Sequence, residues 1–491
     1  MKPPVVWSIA GLDSGGGAGL IADQRAADAM GVHLCPVAAA LTAQNSVAVE
    51  SVFPVPPEQL DAQLAALAND LPPMAIKSGL LGGVEQLRVV TRWVDRLRER
   101  VPVALVVDPV LRASTGAGFA GEALLQAYRE ELLPRATVAT PNRREARALG
   151  TLGAESVCIT GGDEGGALAV DWLASPQASG WLVLPRRVAR NNHGTGCCFA
   201  TAVAAALARG FVVADSVVLA KMLTASGLHD DASPGGGAGP VRPHAGFITD
   251  ASLLPALFDT EPKAWPEQRP HGIEGVYGIT DSGSHAAELF AAGLATVQLR
   301  IKDLRRLRDE LPVAQAAARR HGATLILNDH WREALAAGVG VVHLGQEDLL
   351  ALTEADRRDL AQARASGLRL GLSSHSLWEL ARAAAWAPDY IACGPVWPTT
   401  TKAMPWRPQG LDNLAWWAAM APAPVAGIGG VLEPWQLQAI AATGASAGCV
   451  VRGLHTVDPA VWLQAWQEGL SAAGRAQGGW PHPSLGKDLP Q

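Results

Sequence analysis

Residues 258–272 read FDTEPKAWPEQRPHG and divide the chain. Three prolines, mixed charge and no apolar period leave this stretch little to bury and few backbone donors to pair, so it reads as a linker. Short apolar runs alternating with helical patterns recur on both sides of it. The chain is therefore read as a first domain over residues 1–257, the linker 258–272 and a second domain over residues 273–480. Its 491 residues exceed what one hydrophobic core usually serves.

Composition excludes several classes of function. A net charge of -6 and the lack of a basic tract argue against nucleic acid or an acidic membrane as partner. The six cysteines, Cys35, Cys158, Cys197, Cys198, Cys393 and Cys449, show no CxxC spacing. That argues against zinc or a disulfide framework and fits a reducing compartment. The N-terminal stretch reaches Gly and Asp too early for a signal peptide, and the Ala-rich run 200–209 is too short to span a bilayer. A cytoplasmic protein acting on small molecules is expected. The sequence leaves the oligomeric state open, a homodimer included.

In the first half, Val5–Ala10 reads as a buried strand that empties into GLDSGGGAG, Gly11 to Gly19, before a helix over Ala18–Met30. Closely spaced glycines let backbone N–H groups approach an anion. The GK[ST] and GxGxxG patterns of the common nucleotide loops are absent. A plain tight turn, with Asp13 and Asp23 as surface acids, is the other reading. Further runs end in polar residues: Val37–Leu41 before Thr42 and Gln44, Ala75–Ile76 before Lys77, Val103–Val107 before Asp108-Pro109-Val110. Val138–Ala139 precedes Thr140-Pro141-Asn142, and Val157–Ile159 precedes Thr160-Gly161-Gly162. This is the pattern of an α/β sheet with mostly parallel strands, which binds ligands at its strand ends. Asp108 is then a candidate Mg²⁺ ligand or a turn residue. In HGTGCCFATAVAAALARG, from His193 to Gly210, a glycine-flanked turn opens a helix, and the N–H groups of Gly194 to Cys197 suit a phosphoryl group in transfer. Cys197 lies where a thiolate is favoured, unless it is simply a packed cysteine.

AGLDSGGGAG, Asp23, Gln44, DPV, TPNRREA and HGTGC, in this order, resemble the hydroxymethylpyrimidine/phosphomethylpyrimidine kinases. That family has the ribokinase-like α/β fold and phosphorylates the pyrimidine precursor of thiamin with Mg-ATP. The resemblance implies that Gly11, Asp23, Gln44 and Val110 line the pyrimidine pocket. It places Asp108 and Glu145 at Mg²⁺, Asn142 and Thr160 at the ATP phosphates, and Gly194, Gly196 and Cys197 at the anion hole and reactive end. Two departures stand out: Thr160 replaces the lysine of the usual KGG, and the segment from Asn142 to Thr160 is short. A neutral threonine does not screen phosphate charge as lysine does, so slow phosphoryl transfer is expected.

In the second half, strands are expected at Val276–Thr280, Thr296–Arg300, Thr324–Leu327, Val341–Leu344, Leu368–Leu372, Tyr390–Cys393, Pro424–Ala426 and Gly448–Val451. Eight strands over roughly 180 residues suggest a (β/α)₈ TIM barrel, with a doubly wound sheet as the other arrangement. Function then gathers at the C-terminal strand ends. Alternation puts Gln298, Arg300 and Lys302 on one side, where they suit a diphosphate or form a solvated rim. Asp329 and Asp348, from neighbouring strands, suit one shared Mg²⁺ or cap two helices. His343 reads as packed within its strand.

VQLRIKD, NDHWREAL, VHLGQEDL, GLSSH, CGPVWPTTTK and GIGG, in this order, resemble thiamine phosphate synthase. That family joins the pyrimidine methyl diphosphate to thiazole phosphate and releases pyrophosphate. The resemblance implies that Gln298, Arg300, Lys302 and Asn328 hold the pyrimidine diphosphate and that Asp329 and Asp348 bind Mg²⁺. It puts Ser374, Thr399, Thr401 and Lys402 on pyrophosphate or pyrimidine and Gly429 on thiazole phosphate, with Lys302 and Lys402 as catalytic residues. Arg452 stands where the family commonly has a serine and is read either as a phosphate contact or as a residue that crowds the site. The expected protein is a bifunctional enzyme, kinase first and synthase second. The rival readings are a synthase with a pyrimidine-binding relic in front, and a module that binds phosphometabolites without turnover.

Overall fold

The computed structural model describes residues 2–111, 121–162, 164–267, 270–399, 405–471 and 479–485. It divides into two compact units that part between Trp265 and Pro266.

The first unit is built on a ten-stranded sheet in the order β10-β9-β8-β7-β6-β5-β4-β1-β2-β3. Its strands are β1 (Val5–Asp13), β2 (His33–Gln44), β3 (Val49–Pro54), β4 (Ala75–Ser78) and β5 (Ala104–Val107). They continue with β6 (Val138–Ala139), β7 (Ser156–Ile159), β8 (Leu168–Ala174), β9 (Ser179–Pro185) and β10 (Ala256–Phe258). The run from β2 to β7 is parallel, and both margins are antiparallel. The central strands are short and apolar because helices cover both faces of a parallel sheet. One core layer packs Trp7, Ile9, Val37, Ile76, Leu105 and Val107 against Leu60, Leu64, Val90 and Trp93 of two helices. Phe258, read from sequence as the first linker residue, closes β10 against Trp181 of β9. The short segment after Asn142 still forms one helix, Arg143–Leu149, before the chain enters β7.

The second unit is a closed parallel barrel of eight strands. These are β11 (Gly275–Thr280), β12 (Thr296–Leu299), β13 (Thr324–Asn328), β14 (Val341–Leu344), β15 (Arg369–Ser374), β16 (Tyr390–Cys393), β17 (Val425–Gly427) and β18 (Ala447–Val450). Each expected strand appears within a few residues of its place. Inward side chains including Tyr277, Ile279, Ile326, Val341, Tyr390 and Cys449 fill the barrel. Gly371 makes room for one of them, since a Cβ there would lie 2.1 Å from the Tyr390 ring.

Among the described residues, no helix is long and apolar enough to cross a membrane.

Candidate active sites

In the first unit the polar residues gather at the C-terminal ends of β1, β2, β4 and β5. The glycine-rich turn after β1 does not hold its N–H groups open. Gly15, Gly17 and Ala18 donate to the Asp13 carboxylate at 2.8, 3.0 and 2.8 Å. Asp13 is thus no surface acid but the internal anion around which the turn folds. It also meets His193 Nε2 at 3.4 Å, and that nitrogen lies 3.2 Å from Gln44 Nε2. Burial works against ionisation of Asp13, yet His193 and the three N–H donors hold its carboxyl below the usual range. Gln44 is therefore brought to the turn that opens the helix Thr195–Ala208. Gly194 begins that helix in a left-handed conformation, φ 87°, and an added Cβ would stand 2.3 Å from the Gly17 carbonyl oxygen.

Asp23 corrects the sequence reading. It is fully buried, paired with Lys77 Nζ at 3.0 Å, and accepts hydrogen bonds from Ser8 Oγ at 2.6 Å and Thr201 Oγ1 at 2.8 Å. With both oxygens occupied under the surface, it anchors Lys77 instead of lining a pocket. Burial opposes the charge on Lys77, but Asp23, Cys197 and Asp108 outweigh it and raise its pKa. Lys77 is thereby committed to Asp23, three strands away from Thr160 at the end of β7.

Asp108 lies at the end of β5 and is buried, and its Oδ2 accepts no hydrogen bond from the described residues. Burial lifts its carboxyl to about 6 against the opposing pull of Lys77, with Asp23 adding repulsion. An unpartnered buried carboxylate oxygen is a fitting ligand for a hard cation. Gly11 and Val110 flank this region on β1 and just beyond β5. Cys197 runs against the thiolate expectation: it is half-buried, and its desolvated surroundings push its thiol up to about 12, although Lys77 pulls the other way.

Asn142 and Glu145 form a capping box on the helix Arg143–Leu149. Asn142 Oδ1 accepts from the N–H groups of Arg144 and Glu145, and Glu145 Oε2 accepts from the Asn142 N–H at 2.9 Å. Glu145 Oε1 also takes the Leu111 N–H at 3.4 Å, so the capping role uses oxygens that were assigned to metal and phosphate. Beside Thr160, the Gly161 N–H donates to Asp171 Oδ1 at 2.9 Å, and Lys221 Nζ meets Asp171 Oδ2 at 2.6 Å.

In the barrel the expected residues converge more closely. Gln298 on β12 and Asn328 at the end of β13 are buried, Arg300 is partly exposed and Lys302 is exposed. Asp329 follows β13 in a left-handed backbone conformation, φ 64°, unusual for a side-chain-bearing residue and costing on the order of 1–3 kcal/mol. Its N–H donates to the His343 carbonyl at 2.9 Å, which fixes it at the strand end. Burial raises the Asp329 carboxyl above its usual range, and the facing carboxylate of Asp348 raises it further, while Lys302 and Arg300 pull it down. Asp348 Oδ2 also accepts from the Gly345 N–H at 2.8 Å, so its cap role and its place opposite Asp329 coexist. Among the described residues no three His, Cys, Asp or Glu side chains form a ready cage. Mg²⁺ needs none, since one or two carboxylates with substrate phosphates and waters serve it.

Ser374 is a further correction. It is fully buried, its Oγ takes the Trp417 Nε1–H at 3.3 Å and donates to the Ser376 carbonyl at 3.4 Å. Alternation turns it toward the helix layer and turns Ser373 inward, where Ser373 Oγ lies 3.0 Å from His343 Nε2. Counting from Gly371 along β15 would have selected Ser373. His343 is packed, as read, and burial drops its imidazole to about 4, so it is neutral. Gly429 has φ 99°, and its carbonyl accepts from the Trp397 N–H at 3.1 Å, tying the loop after β17 to the loop after β16. Thr399 lies on that second loop, and Arg452 is exposed in the turn just after β18. Thr401 and Lys402 lie outside the described residues.

Two family models match, one to each unit: phosphomethylpyrimidine kinase over residues 13–242 and thiamine monophosphate synthase over residues 276–454. A probable thiamine biosynthetic bifunctional enzyme, chloroplastic, of Oryza sativa subsp. japonica is 32% identical over 465 residues, 88% of this chain and 82% of that one. The chain belongs to the thiamine biosynthetic bifunctional enzymes. Within this family of fused enzymes, its first unit also matches single-domain kinases. A hydroxymethylpyrimidine/phosphomethylpyrimidine kinase of Streptomyces coelicolor is 37% identical over 259 residues, 49% of this chain and 94% of that one. A solved ADP complex of Bacillus subtilis pyridoxal kinase is 28% identical, covering 50% of this chain and 99% of that one, with a TM-score of 0.45. In this bifunctional enzyme the first unit has the ribokinase-like α/β architecture and the second is the TIM barrel.

Proposed function

We propose that the first unit phosphorylates hydroxymethylpyrimidine and its phosphate from ATP, and that the barrel joins the resulting diphosphate to thiazole phosphate. The observation that carries the synthase reading is the Asp329–Asp348 pair beside Arg300 and Lys302 at the barrel mouth. In the condensation, the bond between the pyrimidine methylene carbon and the diphosphate oxygen breaks, and its electron pair leaves with pyrophosphate. The thiazole nitrogen lone pair then forms the new C–N bond. Arg300 and Lys302 take up charge as it develops on the leaving group. Asp329 and Asp348 would hold Mg²⁺, which supplies further positive charge to the diphosphate oxygens. The barrel otherwise positions the partners and excludes water, and no side-chain nucleophile is needed.

In the kinase unit, the hydroxyl of hydroxymethylpyrimidine, or a phosphate oxygen of its phosphate in the second round, attacks the γ-phosphorus of ATP. The γ-phosphorus–oxygen bond to ADP breaks, ADP leaves with its electron pair, and the hydroxyl proton passes to solvent. The N–H groups at the start of the helix Thr195–Ala208 face the charge on the phosphoryl oxygens. Asp108 would hold Mg²⁺ through its open Oδ2. Cys197 enters as a neutral thiol. Gln44, held by His193, orients the pyrimidine. The setting is cytoplasmic and the partners are small molecules.

Purified chain given the pyrimidine diphosphate, thiazole phosphate and Mg²⁺ is expected to release pyrophosphate and form thiamine phosphate. Absence of both products overturns the synthase reading. Thr160, with Lys77 committed to Asp23, favours a second reading in which the first unit binds pyrimidine without phosphorylating it. ADP formation that depends on hydroxymethylpyrimidine excludes that reading, and its absence establishes it.

A further inference from the structure

A chain of hydrogen bonds crosses the barrel interior below the strand ends. Gln298 Nε2 donates to the Tyr277 hydroxyl at 2.9 Å. That hydroxyl lies 2.9 Å from the Tyr390 hydroxyl, which lies 3.0 Å from His343 Nδ1. His343 Nε2 lies 3.0 Å from Ser373 Oγ. Each phenol has one hydrogen to give. Tyr277 accepts from Gln298, and among the described residues Tyr390 is the remaining acceptor for its own hydrogen. The Tyr390 hydrogen then goes to Nδ1, which leaves the ring proton on Nε2, directed at Ser373. The chain therefore runs in one direction from end to end.

Little room exists for a local reversal. Gln298, Tyr277, Tyr390 and His343 are all buried. The two tyrosine rings meet edge-on at 6.0 Å, and the His343 ring stacks on Tyr390 at 5.6 Å. Turning the Gln298 amide over requires every donor in the chain to reverse and His343 to change tautomer. The Gln298 Oε1 accepts no hydrogen bond from the described residues, so it is left for a ligand, and an amide oxygen can only accept.

We infer that Tyr277, Tyr390 and His343 are positioning residues that fix the acceptor edge of Gln298 toward the pyrimidine and thereby select a 4-amino over a 4-oxo ring. An exocyclic amine donates to that oxygen. A carbonyl at the same place sets two acceptors against each other and leaves both unpaired, a mismatch that polar sites reject strongly. The inference rests on the synthase reading given above.

The test compares kcat/KM for the 4-amino pyrimidine diphosphate and its 4-oxo counterpart, with thiazole phosphate saturating. Wild type, Tyr277→Phe and Tyr390→Phe are measured, with the thermal unfolding midpoint of each. Wild type is expected to prefer the amine by about a hundredfold or more. Each Phe variant is expected to lose at least about tenfold of that preference, because a Phe breaks the directional chain and lets the amide turn. If a variant does not fold, the tautomer of His343 decides. Its nitrogen-15 shifts in wild type are expected to show the proton on Nε2. A proton on Nδ1, a preference for the oxo compound, or unchanged preference in folded variants overturns the inference while the synthase stands. Absence of wild-type turnover with the amino compound overturns both.

Discussion

Burial and the facing carboxylate of Asp348 together hold the Asp329 carboxyl above the usual carboxylate range. Asp329 directly follows β13, Asp348 lies in the helix Gln346–Ala351 after the neighbouring β14, and Asp329 sits in a strained left-handed backbone conformation. Two like charges at close quarters cost stability until a cation joins them.

That cost gives the first prediction. The folded pKa of Asp329 lies above the unfolded value of about 3.9, so the associated stability is present below that value and is lost as pH rises through the raised one. Asp329→Asn removes the penalty and tolerates the same backbone conformation. Without Mg²⁺, the thermal midpoint of Asp329→Asn is expected to exceed wild type at pH 7 and to match it near pH 4. Synthase turnover of Asp329→Asn and Asp348→Ala is expected to fall by about a hundredfold or more. A midpoint below wild type at pH 7, or near-normal turnover at low Mg²⁺, contradicts the assignment.

The Lys77–Asp23 pair gives the second. Both side chains are completely buried and 3.0 Å apart. Lys77→Met leaves the Asp23 carboxylate inside without its counter-charge and is expected to cost about 3–5 kcal/mol. Adding Asp23→Asn is expected to recover part of the loss, because the remaining group is neutral and still bonds Ser8 and Thr201. Urea denaturation of the first unit measures both. A double variant no more stable than the single one contradicts a charge-pairing role.

The barrel was legible because its signals are local. Each strand is a short apolar run, and Gln298, Asp329 and Asp348 lie on strands or in the segments just after them, at places that the eight-fold repeat fixes. What was hidden depends on contacts distant in sequence. Asp23 and Lys77 are 54 residues apart, and nothing near Asp23 announces a buried partner. Asp13 looked like a surface acid because its three donors are backbone N–H groups, which no side-chain pattern records. Ser373 and Ser374 are chemically identical, so only counting the alternation of β15 separates them. The thiol state of Cys197 turns on burial that a helix-start motif does not encode.

Thr160 gives the third prediction. Its neighbour Gly161 is already tied to the Asp171–Lys221 pair, while Lys77 is held elsewhere. A lysine at this position would face ATP phosphates, and a charge-assisted contact there would change the rate by roughly tenfold to a hundredfold. Thr160→Lys is expected to raise the kinase rate or lower the ATP requirement without altering the synthase. Steady-state kinetics check this, and an unchanged kinase rate contradicts the assigned role of the position.

Scission near Ala264 gives the fourth. Each unit has its own hydrogen-bonded sheet, open in the first and closed in the second, and its own core. Residues 1–264 and 265–491, expressed separately, are each expected to unfold cooperatively. Loss of a cooperative transition in either piece contradicts the division.

On the proposed function, one chain carries out both reactions in sequence. The most direct measurement supplies the intact protein with hydroxymethylpyrimidine, Mg-ATP and thiazole phosphate and follows thiamine phosphate, ADP and pyrophosphate together. Thiamine phosphate is expected, with two ADP and one pyrophosphate formed for each molecule made. Thiamine phosphate formed only when the pyrimidine diphosphate is supplied ready-made, with no pyrimidine-dependent ADP, would contradict that function.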